Sequence, residues 1–505
     1  MPPHWETRVW LDFSEIGSNN SLSTPHVYAL PFGVTAGSHK LTIRVDNRMI
    51  VDVGFDAHSV TDHTQGNWRR IIRICKEHGL NLIRFHSWCP PEAAFIAADE
   101  LGFYYQVECG MWVRRAGSLL GRGKSNDKWL YDESERIVQA YGNHPSFTML
   151  VHGNEPSADL NFLAGWVKYW KEHDSRQLYS SATGWAMTEE NQFHATLAVP
   201  GRDQMRVRGI GGWNGKDYRE AHQGARVPII SHEIGQFTAY PDFGQISKYT
   251  GWLKPRNFEI FRDSLDEHGM LDQNRAFVMA SGHLQTLCYK EEIEAALRTP
   301  GLGGYELLDL HDFPGQGTAL IGVPDAFWDA KGYVTPEQYR RFAGPTVPLA
   351  RLVKRTWTTD ETLTVDVEIS HFGAVPLKNS AATWRLAAAD GKVAATGEFP
   401  RRDIPLGNAS SLGRITIDVS KLAAPVEYRL VVRLENTPFG NGWIVWLYPA
   451  KIDLMAPREL FVASRFDDQA RTRCFSRNRR RSGRSGWWPC RAAAKGRLPR
   501  SPSCP

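Results

Sequence analysis

The sequence predicts an α/β fold, a TIM-type (β/α)8 barrel with its first strand missing, flanked by β-sandwich domains. Between residues 68 and 344, short apolar runs alternate with amphipathic helical patterns, which indicates repeated βα units. Residues 1–67 and 345–450 instead alternate apolar and polar residues between turn signals, which is typical of β-sandwiches. The length of 505 residues also exceeds what one hydrophobic core supports, so several domains are expected.

The first 67 residues are predicted to form part of a β-domain. Apolar and polar residues alternate in TRVWLDF, HVYAL and HKLTIRVDN, and Gly- and Ser-rich turns separate these strands. The strand pattern is long enough for about half a sandwich, and it stops at Asn67, where the helical sequence WRRIIRICKEHG follows. We therefore expect an incomplete β-domain joined directly to the first helix of the barrel.

The barrel is predicted from residues 68–344. Apolar runs predict strands at 81–88, 103–112, 147–155, 178–185, 227–237 and 305–313, with a further strand near 192–199. Amphipathic patterns predict helices at 91–102, 131–142, 161–174 and 275–299. Six or seven strands are found where a closed barrel needs eight, and the shortage is at the start. An open barrel would leave two unpaired strand edges, which is expected to lower its stability.

Three segments follow the barrel. Residues 345–450 contain strand patterns with recurrent turns and no helical pattern, which predicts an immunoglobulin-like sandwich. Residues 451–470 resemble the start of a truncated α/β domain. Residues 471–505 have no periodicity and are expected to be a disordered basic tail, with eleven basic and no acidic side chains. A shifted reading frame is the favoured interpretation of this tail, and a basic nucleic-acid or membrane-binding segment is the alternative.

The overall charge gives little indication of a nucleic-acid partner. Subtracting the eleven charges of the tail from the net charge of +5 leaves −6 for residues 1–470, so no basic face is expected there. No apolar run approaches the ~20 residues that span a membrane. The N-terminus MPPHWETRVWLDF lacks a signal-peptide pattern, so a cytoplasmic location is expected unless an upstream segment is missing. The four cysteines outside the tail show no CxxC spacing, which argues against a zinc site or a disulfide framework.

Two stretches place a glutamate at the C-terminal end of a predicted barrel strand. FTMLVHGNEP carries Glu155 directly after Asn154, and VPIISHEIGQF carries Glu233 directly after His232. Taken alone, each stretch is also compatible with a strand end followed by a turn. If both strands belong to one barrel, however, the two carboxylates project into the same mouth. A pair of facing carboxylates is what hydrolysis of a glycosidic bond requires, since one acts as acid and the other as nucleophile or base.

These motifs resemble the acid/base and nucleophile signatures of retaining glycosidases of clan A. The wider stretch NLIRFHSWCPPEAAFIAADELGFYYQVEC is similar to the barrel of glycoside hydrolase family 2, which includes β-galactosidases, β-glucuronidases and β-mannosidases. STPHVYALPFGVTAGSHKLTIRVDNR resembles the sugar-binding jelly-roll domain of that family. The resemblance covers residues 1 to about 345. It implies a retaining β-glycosidase that needs no cofactor and acts on an oligosaccharide or polysaccharide fragment.

The resemblance also implies roles for individual residues. Glu155 would be the general acid/base, and Glu233 would be the nucleophile. The other candidate substrate-binding residues lie at or near predicted strand ends and are Asn154, Arg84, His86, Trp88, Glu108, Trp112, His152, Trp185, His232, Asp309, His311 and Asp312. Asn154 would bind the sugar 2-hydroxyl and Arg84 would hold the nucleophile ionised, although a structural salt bridge is an equal alternative for Arg84. Loop packing is likewise an equal alternative for Trp112 and Trp185.

The sequence departs from the family in two places. The second half of the jelly roll, the following sandwich and the first barrel strand are all missing after Asn67. YELLDLHDF also lacks the tryptophan expected at the eighth strand, so the sugar specificity of the best-known members cannot be transferred. The sequence contains no signal for an oligomeric state.

Two other hypotheses remain open at this point. The chain could be a catalytically impaired carbohydrate-binding protein, damaged by the missing segment. It could also be a metal-dependent hydrolase that uses His86, His152 and His232, since imidazoles on neighbouring strands can bind zinc. No HxH or HExxH spacing supports the metal hypothesis, and the glycosidase interpretation predicts no metal.

Overall fold

The computed structural model describes residues 6–46, 65–112, 119–207, 214–251, 254–313 and 320–451. The chain forms two units, Met1–Tyr448 and Pro449–Pro505, and the architecture below is that of the first. Apart from Lys451, the truncated α/β segment predicted at 451–470 and the basic tail lie outside the described residues.

A small antiparallel sheet begins the chain. Its strands are β1 (Glu6–Leu11), β2 (Ser14–Asn19) and β3 (Leu41–Asp46), in the order β2-β1-β3. The strand predicted at HVYAL was wrong, because this segment forms no strand. The side chains of His26 and Tyr28 instead hydrogen-bond Thr7 on β1, so the segment contacts the sheet through side chains and not through a backbone ladder.

Parallel strands form the middle of the chain. One sheet contains β4 (Leu82–Phe85), β5 (Tyr104–Glu108), β6 (Phe147–Val151) and β7 (Leu178–Ser180), paired in that order. A second sheet contains β8 (His194–Thr196), β9 (Ile229–Gly235) and β10 (Leu302–Leu308), also paired in chain order. Single parallel bridges join Thr183 to Asn154 and to Ala195, and thereby link the two sheets. Each strand lies within or overlaps a predicted apolar run, since these runs are bounded by Gly, Pro and polar residues.

Helices connect most of these strands. They are α1 (Gln65–Glu77), α2 (Glu92–Leu101), α3 (Ser125–Tyr141), α4 (Leu160–His173), α5 (Arg256–Glu267), α6 (Asn274–Leu297) and α7 (Pro336–Ala343). α1 is amphipathic and buries Trp68, Ile71, Ile72 and Cys75. α3 begins six residues before the predicted helix, and α5 and α7 were not predicted. α7 starts with a capping box in which Thr335 and Gln338 bond each other's backbone N–H groups.

The described parallel strands do not form a closed barrel. β4 pairs only with β5, and β10 pairs only with β9, so each has one edge without a strand partner in this part of the chain. Apolar side chains, among them Ile71, Leu82, Ile83 and Leu307, line a cavity that includes these two edge strands. The fold is therefore mixed α/β with several sheets, and the edges of its parallel strands are not joined within the described residues.

Two packed sheets end the first unit. Their strands are β11 (Thr346–Arg351), β12 (Thr356–Thr358), β13 (Thr362–His371), β14 (Leu377–Ala388), β15 (Val393–Ile404), β16 (Gly407–Asp418), β17 (Val426–Leu434) and β18 (Gly440–Tyr448). The strand orders are β11-β13-β16 and β12-β18-β17-β14-β15. Alternate residues of β13 and β17 are buried, among them Val365, Val367 and Leu430, and with Trp443 they belong to one core shared by both sheets.

Among the described helices, none has both the length and the apolar character that crossing a membrane requires.

Candidate functional site

A cavity of about 350 Å³ includes the C-terminal ends of β4, β9 and β10 and the segment after β6. Nine of the predicted site residues line it, namely Arg84, His86, Trp88, Trp112, Asn154, Glu155, Glu233, Asp309 and His311. These residues are distant in the sequence, and the parallel order of the strands brings them to one mouth. The cavity is therefore the candidate functional site.

The two glutamates approach the same histidine ring. Glu233 Oε1 lies 3.6 Å from His232 Nε2, and Glu155 Oε1 lies 4.0 Å from the same atom. Glu155 and Glu233 both have φ in the left-handed region, at 39° and 46°, which is uncommon for residues other than glycine. Adjacent residues of a regular strand point to opposite faces. The left-handed backbone of Glu233 interrupts this alternation inside β9, and the side chains of His232 and Glu233 lie 3.6 Å apart.

Arg84 on β4 joins both glutamate motifs. Its Nη1 donates to Glu233 Oε1 at 3.0 Å, its Nη2 donates to Asn154 Oδ1 at 2.7 Å, and its Nε donates to Glu108 Oε1 at 2.7 Å. Burial opposes the charge of Arg84, but Glu108 and the other carboxylates around it raise its pKa above the ordinary value. The guanidinium therefore stays charged and fixes Glu233 and Asn154 relative to each other.

The electrostatic surroundings keep Glu233 ionised. Burial raises the pKa of the Glu233 carboxyl, but the charges of His232, Arg84 and His86 outweigh burial and lower it to about 2. A carboxylate that is ionised at neutral pH can attack an electrophilic carbon or stabilise a positive charge there.

Glu108 lies behind Arg84 and does not line the cavity. It is fully buried and accepts hydrogen bonds from Arg84 Nε, from the backbone N–H of Ser87 at 2.6 Å and from Thr183 Oγ1 at 2.5 Å. Burial raises the pKa of Glu108, but Arg84 and the hydrogen bonds lower it below the ordinary value. Glu108 thus anchors the guanidinium that holds Glu233.

Aromatic rings and histidines form part of the wall. The ring of His86 packs edge-on against Trp112, with centroids 5.1 Å apart, and His86 Nε2 lies 4.0 Å from Glu233 Oε1. Burial and the charge of Arg84 lower the pKa of His86. After the end of β10, His311 stacks on Trp328 at 4.3 Å and lies 3.2 Å from Asp309. Flat rings of this kind can contact the faces of a sugar.

The other predicted site residues lie outside the cavity lining. His152 is buried, and its Nδ1 is 2.6 Å from the Ser181 carbonyl oxygen. Trp185 is 51% exposed and does not reach the cavity. Asp312 is buried behind the β10 end, where Lys331 Nζ donates to it at 2.6 Å; burial raises its pKa to about 6. His232 lies next to both glutamates but beneath the lining.

Gln236, Glu306 and Trp328 are among the residues of the cavity that were not predicted. Glu306 lies in the middle of β10, with its side chain next to Arg84 and His232. The available signal was that the mostly apolar run YELLDL contains a second acidic residue besides Asp309, because acidic residues are rarely buried without a partner. Gln236 directly follows β9, and Trp328 lies in the segment between β10 and α7; neither position has a distinctive spacing in the sequence.

No group of three or more His, Cys, Asp or Glu side chains is arranged to hold a metal ion in the part of the chain that the structure describes. His86 and His232 both lie near Glu233, whereas His152 faces the Ser181 carbonyl.

Comparison with known proteins gave matches to parts of the chain. Residues 361–449 match a family profile described as "Domain of unknown function (DUF8488)". A β-galactosidase of Arthrobacter sp. (strain B7) is 29% identical over 136 residues, which are 24% of this chain and 13% of that relative.

Solved structures with similarity to the chain include the exo-chitosanase CsxA of Amycolatopsis orientalis, at 14% identity and a TM-score of 0.48 over 76% of this chain and 47% of that one. A β-glucuronidase of Parabacteroides merdae is 12% identical with a TM-score of 0.37, over 90% of this chain and 62% of that one. The chain therefore spans less than two thirds of the length of each of these relatives.

Proposed function

We propose that the chain is a retaining β-glycosidase, in which Glu155 is the general acid/base and Glu233 is the nucleophile. In this proposal the parallel strands are seven of the eight strands of a (β/α)8 barrel. The observation that carries the proposal is that both carboxylates line one cavity and lie within 4.0 Å of His232 Nε2, with Arg84 hydrogen-bonded to Glu233. The partial similarity to a β-galactosidase supports the same class of reaction.

The reaction would proceed by double displacement. In the first step Glu233 attacks the anomeric carbon, the bond to the leaving oxygen breaks, and the proton of Glu155 passes to that oxygen. In the second step Glu155 takes a proton from water, the hydroxide oxygen attacks the anomeric carbon, and the bond to Glu233 breaks. Two inversions return the original configuration at the anomeric carbon.

Asn154 would orient the sugar. Its Oδ1 accepts from Arg84, which leaves the Nδ2 amide group as a donor. A donor next to Glu155 suits the sugar 2-hydroxyl, whose hydrogen bonds strengthen in the transition state. Asn154 is 1% exposed, so its amide plane is held by packing and by Arg84.

The distances at His232 constrain the spacing of the two carboxylates. Their Oε1 atoms cannot be further apart than the sum of the 3.6 and 4.0 Å distances to Nε2. This limit includes the spacing of about 5–5.5 Å that retaining enzymes use, and also the lower part of the inverting range. The configuration of the first product therefore decides between the two mechanisms.

A panel of aryl β-glycosides tests the proposal. The full-length wild-type chain should release the phenol, and Glu155→Ala and Glu233→Ala should each lose most of this activity. Added azide should rescue Glu233→Ala and give the α-glycosyl azide, because azide attacks from the face that Glu233 occupied. Glu172→Ala is the matched control, since Glu172 is exposed on α4. Hydrolysis that survives Glu233→Ala would rule the proposal out.

A second candidate function is carbohydrate binding without turnover. It is favoured by the edges of β4 and β10, which have no strand partner within the described chain. Binding of monosaccharides by the wild type, with no hydrolysis of any glycoside in the panel, would support it. Activity that depends on a divalent metal and disappears with a chelator would instead support a metal-dependent hydrolase.

A further inference from the structure

Glu306 is a buried carboxylate that the proposed reaction does not use. It is 5% exposed, and neither of its carboxylate oxygens has a hydrogen-bond partner within the described chain. Its Oε2 lies 3.6 Å from Arg84 Nε, an atom that already donates to Glu108. A buried carboxylate without a hydrogen-bond donor is costly, and the cationic groups that can compensate its charge are Arg84 and the ring of His232 when protonated.

His232 lies between Glu306 and the two glutamates of the site. Its Nδ1 is 3.7 Å from Glu306 Oε2, and its Nε2 is 3.6 Å from Glu233 and 4.0 Å from Glu155. The histidine is 2% exposed, and neither ring nitrogen has a hydrogen-bond partner among the described residues. The two nitrogens of one imidazole therefore face two different carboxylate groups.

We propose that Glu306 and His232 form a positioning pair for the two reacting glutamates. The Nδ1–H group of His232 donates to Glu306. Its Nε2–H group donates to Glu155 or to Glu233, depending on which of the two is ionised. The inference rests on the proposed function, since it assigns both glutamates to one reaction. Converting the present distances into hydrogen bonds of about 2.7–3.2 Å requires movements of less than about 1 Å.

The pair can stabilise the negative charge of the site as this charge passes from Glu233 to Glu155 during the reaction. In the free enzyme Glu233 is ionised and Glu155 carries a proton. In the glycosyl-enzyme Glu233 is an uncharged ester, and Glu155 is ionised because its proton has gone to the leaving oxygen. His232 Nε2 lies near the Oε1 atom of both residues, so one N–H can serve each in turn. His232 keeps its own protons throughout, and Glu306 is its fixed acceptor.

The charges around Glu233 agree with this assignment. Burial raises the pKa of Glu233, and His232 contributes most to lowering it to about 2, ahead of Arg84 and His86. Replacement of His232 by a neutral side chain should therefore raise the pKa of Glu233. The other ionisable groups near the pair are Glu108 on β5, Glu155 after β6 and Asp309 after β10, and all of these stay in place in the variants below.

The test compares His232→Gln and Glu306→Gln with the exposed controls His173→Gln and Glu172→Gln on α4. We expect kcat/KM for an aryl glycoside to fall roughly tenfold to hundredfold in His232→Gln, and less in Glu306→Gln. The acidic limb of the kcat/KM profile should move to higher pH in His232→Gln. A purely structural role would lower the folded fraction without moving this limb. The pair would be overturned if both variants had the kcat/KM of the controls and the acidic limb of their pH profiles did not move. The proposed function would not be affected by that result.

A second readout does not depend on turnover. The nitrogen chemical shifts of the His232 ring, assigned by their loss in His232→Gln, report whether both nitrogens carry protons. We expect two protonated nitrogens in the wild type and a change at Nδ1 in Glu306→Gln. The pair would be overturned if the His232 ring carried a proton on only one nitrogen and its shifts were the same in the wild type and in Glu306→Gln. An inactive wild type with the expected shifts would contradict the proposed function but support the pairing.

Discussion

Two clusters of buried charged side chains differ in how completely their charges are paired. Where α6 meets the sandwich, Glu291 accepts from Arg298 and Arg355 at 2.7 and 3.0 Å. In the same cluster Glu294 accepts from four donors, Lys290, Arg298, Asn441 and Trp443. We call this the α6 cluster. In the site cluster, the guanidinium of Arg84 instead faces Glu108, Glu233 and Glu306.

The difference in pairing indicates a difference in role. A buried charge is tolerated when hydrogen bonds and opposite charges compensate for lost hydration. The α6 cluster meets this condition and joins a helix to a sheet. The site cluster leaves Glu306 and both nitrogens of His232 without hydrogen bonds in the described chain. Groups that are not satisfied by the protein can still interact with a substrate or change partners during a reaction.

Replacement of a buried arginine in each cluster should give the largest contrast. Arg84→Met removes the donors to Glu233 and Asn154, so kcat/KM should fall roughly 10²–10³-fold. Arg298→Met should lower the free energy of unfolding by about 3–5 kcal/mol, because two buried glutamates lose a partner. Kinetics on the folded fraction and urea denaturation measure the two effects. The comparison fails if Arg298→Met slows the folded enzyme as much as Arg84→Met does.

Neutral replacement of a glutamate should lower stability more in the α6 cluster than in the site cluster. Glu294→Gln should lower the free energy of unfolding by about 3 kcal/mol, since four donors lose a charged acceptor. Glu306→Gln should cause a smaller loss, because the Glu306 carboxylate lies 3.6 Å from Arg84 and 3.7 Å from His232 without a hydrogen bond, and the amide oxygen of Gln can still accept from His232. Urea denaturation at neutral pH compares them, and equal losses would contradict the distinction.

Acid should destabilise the site cluster through Glu233. The pKa of Glu233 in the folded protein, about 2, is below the ordinary glutamate pKa of 4.5, so the stabilisation is complete above about pH 4.5 and is lost as pH falls towards 2. This shift corresponds to about 3 kcal/mol. Thermal unfolding between pH 6 and 2 should therefore show a flatter profile for Glu233→Gln than for the wild type. Parallel profiles would mean that Arg84 and His232 do not hold Glu233 ionised.

The strands were predictable because their patterns are local. The apolar runs around β6 and β9 end at Gly or polar residues, and both strands lie where these runs are. α7 was missed because it is short and its capping box was not recognised. The strand prediction at HVYAL was wrong because alternation of apolar and polar residues also occurs in a segment whose side chains, and not its backbone, hydrogen-bond a neighbouring strand. The mixed α/β class was confirmed, whereas the described strands form no closed barrel.

The site was predictable only where a residue ends a strand. Glu155 and Glu233 could be selected because a turn follows each apolar run, and both line the cavity. Trp185 has the same kind of position but is half exposed, since the direction of a loop side chain depends on tertiary packing. Glu306 could not be paired with His232 from the sequence. Their contact depends on the register of β9 and β10, in which Tyr305 pairs with Ser231.

A small effect is expected at the edge of the α6 cluster. Arg355 is 24% exposed in its side chain, and Glu291 keeps its hydrogen bond from Arg298 when Arg355 is removed. Arg355→Met should therefore lower the free energy of unfolding by only about 1 kcal/mol. Lys354→Met is the adjacent control, because its partner Glu361 is partly exposed and screened by water, and it should have a smaller effect. If Arg355→Met were as damaging as Arg298→Met, the α6 cluster would depend on each cation separately, and complete pairing would no longer distinguish it from the site cluster.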